Sequence, residues 1–125
     1  MKIEKTLLTA SGILVVFLLT SCSREIEGTF SGTLRWGFET QSFYVDEEDE
    51  AWWVSPQKDV FNKFGEDYGL RLNQLGEEYA AVLQYRVKMK GIASKRGEYG
   101  HFGMFKRRFE VEEILDFEWI GKDDQ

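Results

Sequence analysis

One cysteine, one proline and one histidine occur in this chain of 125 residues. Each scarcity excludes something. With Cys22 alone, no disulfide can form within the chain, so packing must stabilise any folded part. With His101 as the sole histidine, a zinc site built from imidazole and thiolate has too few ligands. The same lack limits nucleophilic catalysis, which needs a hydroxyl or thiol beside a positioned base. Neither G-x-S-x-G nor H-E-x-x-H is present. His101 lies between Gly100 and Phe102-Gly103 in a glycine-rich stretch, where a loop histidine bonded to backbone is the plain expectation. No apolar run is long enough to cross a bilayer: Leu7 to Leu19 is about 13 residues against the roughly 20 a helix needs. No internal repeat and no cofactor motif occurs.

What is present begins with an address. Lys2 and Lys5 give a positive start, Leu7–Leu19 an apolar core, and Thr20-Ser21 a small pair before Cys22. These are the parts of a secretory signal. The ending Leu19-Thr20-Ser21-Cys22 resembles the lipobox of bacterial lipoproteins. The resemblance implies removal of residues 1–21, diacylation of Cys22 on sulfur and a membrane-anchored domain in the cell envelope. Two or more acyl chains hold a protein stably where one does not. Ser23, not Asp, follows the cysteine. In a Gram-negative cell the resemblance therefore implies the outer membrane. Residues 22–27 then form a lipidated linker and 28–121 a single small domain.

The mature chain would lose Lys2, Lys5 and Glu4, leaving 14 Lys and Arg against 21 Asp and Glu. That acidity argues against nucleic acid as a partner. Aromatic residues are 15% of the whole chain and are the means of building a core.

Alternation of apolar and polar residues organises the domain. Phe30, Leu34, Trp36 and Phe38 share one parity within Gly28–Glu39, which predicts a long strand with one buried face. Gly28 and Gly32, on the same parity, predict bends or close backbone approach. Gln41–Val45 and Ala51–Val54 predict two short strands joined by the acidic run Asp46–Glu50. Ser55-Pro56 predicts a helix start, with Gly65 as its stop. Asp67–Gly76 fits a packed loop or a second short helix. Tyr79–Ile92 predicts another long strand, with Ala81, Leu83, Tyr85, Val87 and Met89 on one face. Ala93–Gly103 is a connection. A last strand runs from near Met104 to Trp119, its phase repaired by a bulge near Glu112-Glu113.

Three strands, a helix and two strands predict a mainly β fold: an OB-like five-stranded Greek-key barrel with one helix between strands 3 and 4. A plain antiparallel sheet on one helix is the alternative. Gly37-Phe38-Glu39, Ser42-Phe43, Trp52-Trp53-Val54 and Gly97-Glu98-Tyr99-Gly100-His101-Phe102-Gly103 also resemble a group of small bacterial envelope proteins with no assigned chemistry. This second resemblance supports the fold and compartment and implies no activity.

Binding candidates come from charge and aromatics. Between Arg86 and Arg108 there are eight Lys and Arg against Glu98 alone. Arg86, Lys88, Lys90, Arg107 and Arg108 would make a positive stripe, with Tyr99 and His101 in the loop between the strands. Such a stripe fits an anionic envelope partner: a lipid head group, an anionic glycan or an acidic protein. Its alternative is a solvated face paired with Glu110, Glu112, Glu113 and Asp116. Trp52 and Trp53 must point to opposite faces of a strand; one can be core and the other, taken as Trp52, a surface binding anchor, with core or helix packing of both as the alternative. Asp46–Glu50 lacks the calcium-loop spacing and is expected to be a solvated turn. A non-enzymatic binding domain follows, without metal or cofactor. A structural lipoprotein or a carboxylate-based hydrolase are the alternatives.

Overall fold

The computed structural model describes residues 24–76 and 81–122. Cys22, the segment 1–21, Tyr79 and the tail 123–125 lie outside the described residues. Five strands are present: β1 (Ile26–Gly37), β2 (Thr40–Val45), β3 (Ala51–Pro56), β4 (Leu83–Ala93) and β5 (Arg108–Lys122). One helix, α1 (Asn62–Leu75), lies between β3 and β4. The protein is mainly β.

The strands form one sheet closed in a ring, in the order β1-β2-β3-β5-β4 and back to β1. All neighbours are antiparallel except β3 and β5, which are parallel. Closure leaves each strand a partner on both sides. Gly32 serves this curvature: a Cβ there would run into the Tyr44 carbonyl on β2.

Alternation dictates what fills the ring. Leu34, Phe43, Trp52, Val54, Leu83, Tyr85, Val87, Met89, Phe109 and Val111 are all buried. Phe30, Phe43, Trp52 and Phe109 meet edge-on or tilted, with centroids 5.1–6.3 Å apart. Burial of each such side chain contributes about 1.5–3 kcal/mol. α1 covers one end of the ring. Phe61 at its N-cap and Phe64, Tyr68 and Leu72 within it recur at helical spacing and pack on the core. Phe64 sits 4.6 Å from the Tyr85 ring, 5.7 Å from Phe117 and 5.8 Å from Trp36. Trp36 is thus half-buried against the helix, on the core face expected for it.

Several boundaries differ from the sequence-based expectation. β1 begins at Ile26, inside the segment taken for a linker, and ends at Gly37. Phe38 belongs to the turn and is 70% exposed, with Glu39 at φ 58°. Ser55-Pro56 does not start the helix. Both residues end β3, pairing with Glu110 and Val111 of β5. The Gln57 N–H continues that pairing by donating to the Val111 carbonyl. A non-local strand partner overrides the local capping signal, and a strand end tolerates the missing proline N–H. Gly65 does not stop the helix either. It ends at Gly76, at φ 72°, whose N–H caps the Leu72 and Asn73 carbonyls.

β5 carries the expected bulge and two more. Gly91 faces Val111 while Lys90 faces Glu113, so Glu112 is the extra residue. By the same register, Leu115 and Ile120 are extra. The inward set is therefore Phe109, Val111, Ile114, Phe117 and Trp119, and Leu115 is turned out.

Candidate functional site

The outward residues of β2 and β3 form the floor of a groove of about 400 Å³. Ser42, Tyr44 and Ala51 make that floor. One wall is Arg35 of β1 with Glu39 of the β1–β2 turn and Thr40 at the start of β2. The other wall is His101, Met104, Phe105 and Lys106 of the β4–β5 loop. Side-chain alternation explains the floor. Phe43 and Trp52 face each other across β2 and β3 on the inner face, so Ser42, Tyr44, Ala51 and Trp53 must lie outside.

The glycine-rich motif shapes the loop wall. Tyr99 and Phe105 exchange two backbone hydrogen bonds of 2.9 and 3.1 Å, closing residues 100–104 into a tight turn. The Tyr99 hydroxyl donates to the Lys95 carbonyl at 2.9 Å. Phe105 packs on Trp53 with centroids 5.4 Å apart. Gly100, at φ 71°, lies flat on the same indole, where a Cβ would approach within 2.5 Å. The turn thus presents His101, Phe102 and Met104 at the rim. Phe102 is 84% and Met104 73% exposed, with Phe38 nearby in sequence to the opposite wall. The His101 ring leans on Phe102 at 4.1 Å.

Charge at the groove is mixed. Arg96 binds Glu50 through two hydrogen bonds of 2.8 and 3.0 Å, so that carboxylate is already engaged. Arg35, Lys106 and Glu39 are the other charges lining the groove. The arrangement can stack flat groups on Tyr44 and Phe105, hydrogen-bond through Ser42 and Thr40, and hold a negative group.

The residues proposed from sequence do not gather in one place. Tyr99 and His101 share the β4–β5 loop but line different cavities. Trp52 does not face solvent: it is wholly buried, and Trp53 is the outward member of the pair. Arg107 is also buried, its guanidinium donating to the carbonyls of Ser94 (2.6 Å) and Arg24 (3.1 Å). Arg86 donates to both oxygens of Asp46, at 2.6 and 3.0 Å. That bond holds the Asp46 carboxyl below its usual pKa and the guanidinium above its own. Lys88 and Lys90 are exposed on β4, opposite Asp116 and Glu113. Arg108 is exposed and lines the second cavity with Tyr99. The positive stripe is therefore broken by the acidic run it was not expected to meet. Sequence reasoning missed Tyr44, Phe105 and Arg35, although the outward parity of Tyr44 was a usable signal; Lys106 was counted only as one charge of the basic hairpin.

Among the described residues, no cluster of three or more His, Cys, Asp or Glu side chains is placed to hold a metal ion. Among them, too, no helix is long and apolar enough to cross a membrane. No protein family matches the chain, and no curated protein or solved structure matches it either.

Proposed function

We propose that this protein is a lipid-anchored envelope protein whose OB-like domain binds an anionic ligand with flat or ring-shaped faces. The anchor is Cys22, acylated after removal of residues 1–21; in a Gram-negative cell the outer membrane is its site. The strand order 1-2-3-5-4, the parallel β3–β5 pair and the helix between β3 and β4 support the OB-like Greek-key barrel. In such barrels ligands lie on the face of strands 2 and 3 between the loops joining strands 1–2 and 4–5.

The observation that carries the proposal is the groove itself: it occupies that face and has those two loops as walls. At the groove floor β2 is paired with β1 on one side and β3 on the other, so a partner there is held by side chains rather than by an added strand. Tyr44 and Phe105 offer ring faces, Ser42 and Thr40 hydrogen bonds, and Arg35 and Lys106 positive charge. An acid-bearing glycan meets all three. We read this as binding chemistry: the histidine of the groove stands at its rim with its ring against Phe102.

Titration with a uronic-acid oligosaccharide and its neutral counterpart, followed by NMR, tests this. Shifts at Ser42, Tyr44 and Phe105 with the acidic ligand are expected. Tyr44→Ala and Lys106→Ala should each weaken binding about tenfold, the scale of one well-placed contact. Equal binding of the neutral sugar, or shifts confined to another face, would reject the assignment.

A further inference from the structure

A second cavity, of about 670 Å³, opens where the chain enters the ring. Arg24 and Glu25 line it from the N-terminal side, Ser94 and Lys95 from the end of β4, and Tyr99 and Arg108 from the far side of the loop. We propose that this cavity seats the phosphate of an anionic phospholipid head group and that the domain rests on its membrane through it. The proposal rests on acylation of Cys22.

The tether makes the argument. Arg24 is fixed to the fold, because the buried Arg107 guanidinium donates to its carbonyl and to that of Ser94. Ser94 is fixed in turn: its N–H donates to the Arg108 carbonyl and its hydroxyl accepts from the Arg108 N–H, both at 2.8 Å. Only Ser23 separates Arg24 from Cys22. Two residues reach at most about 7 Å. The polar layer of a bilayer is itself roughly 5–7 Å deep on each side. An acylated Cys22 therefore brings the mouth of this cavity into the head-group layer.

Charge selects what meets it there. Among the described residues lining the cavity, Lys95 and Arg108, with Arg24 beside them, outnumber the one acid, Glu25. The chain as a whole carries a net charge of −6. An anionic surface therefore repels most of the molecule and attracts this face, which orients the domain. Tyr99, with its hydroxyl held by the Lys95 carbonyl, places an aromatic ring at the depth where tyrosine is favoured.

The test uses the full chain as cells process it, reconstituted in vesicles of phosphatidylcholine alone or mixed with phosphatidylglycerol. Hydrogen exchange of residues 94–108 is the readout, and palmitate labelling reports acylation separately. Amides of this segment should exchange about fivefold more slowly or better on the anionic vesicles, the scale of a single cation at a charged surface. Protection should vanish in Lys95→Glu/Arg108→Glu and at about 0.5 M salt, where screening is short-ranged. Exchange in β4 serves as the control that the variant is folded. Equal exchange on both vesicles would overturn the proposal even if the chain is labelled. Equal protection by inorganic phosphate on the neutral vesicles would overturn the lipid as its source. Absent label with intact protection would remove the acyl anchor and leave the docking site standing.

Discussion

Asp46 and Arg86 meet across the outer face of the ring through two parallel hydrogen bonds, 40 residues apart in the chain. Glu50 and Arg96 repeat the arrangement 46 residues apart. The acidic turn between β2 and β3 and the basic β4–β5 hairpin thus answer each other. An acidic protein with a basic ribbon reads as a molecule with a binding stripe, and here part of the stripe is spent within the fold.

The Asp46–Arg86 pair has a defined pH signature. The hydrogen bond from Arg86 lowers the Asp46 pKa from its ordinary value of 3.8. A carboxyl lowered in the folded state stabilises above its unfolded pKa. That contribution is lost as pH falls through the lowered folded value. Because the pair is solvent-exposed, its effect on stability is small and salt-sensitive. Carboxyl NMR titration should place Asp46 below 3.8 in the native chain, and Arg86→Gln should return it to the ordinary value.

Arg107 and Lys88 should separate cleanly. Arg107→Gln leaves the Ser94 and Arg24 carbonyls short of a charged donor inside the fold. The expected loss is about 2–3 kcal/mol in urea melts. Lys88→Gln, on the exposed side of β4, should change stability by less than about 0.5 kcal/mol. Equal effects would mean that Arg107 is not the structural cation described.

Strand content was legible because its signal is local and periodic. Leu83, Tyr85, Val87 and Met89 alternate without interruption, and all four are buried. The bulge at Glu112 was legible for the same reason, as a break in phase. What was not legible depended on a partner elsewhere in the chain. Ser55-Pro56 carries a helix-start signal, yet β5 captures both residues by parallel pairing. Trp52 and Trp53 differ only in which faces Phe43, and adjacency alone does not choose between them. One wall of the groove comes from a loop folded over Trp53, so its lining residues lie far apart in sequence.

α1 carries two glycines at a cost. Gly65 and Gly69 lie within the helix, and a Cβ on either would meet nothing within 4 Å. Glycine inside a helix costs about 0.5–1 kcal/mol relative to alanine. Gly65→Ala and Gly69→Ala should each raise stability by that amount, additively, in thermal or urea melts. A decrease would show that these positions need the bare backbone for a contact with a partner.

The end of the ring covered by α1 should be sensitive to alkali. The Tyr85 hydroxyl donates to Asp67 at 2.9 Å, and burial first, then that bond, pushes its pKa well above the usual 10. Burial also raises Tyr68, whose hydroxyl donates to the Ala81 carbonyl. A raised folded pKa gives stability that is complete below the unfolded value, near 10, and is lost as pH rises through the folded value. Melting temperature should therefore fall from about pH 10 upward. Tyr85→Phe should cost about 0.5–1.5 kcal/mol at neutral pH, the worth of one hydrogen bond, and should flatten the alkaline decline.

Gly100 tests whether the loop wall is a built part of the groove. Its backbone, at φ 71° and ψ −156°, lies in a region essentially reserved for glycine. A methyl group there would also press into the Trp53 indole. Gly100→Ala must therefore lift the turn away from Trp53 or strain it, at about 1–3 kcal/mol. The ring itself should survive, because its core is made by Leu34, Phe43, Trp52 and Phe109 beneath. The expected pattern is a modest drop in melting temperature and a change in Trp53 fluorescence. Binding of the acidic oligosaccharide should fall by far more than the lost stability explains. Phe105→Ala, which removes the ring packed on Trp53 without touching the Gly100 backbone, should weaken the same binding. If both variants melt lower yet bind as the native chain does, the loop stabilises the domain without forming the ligand site.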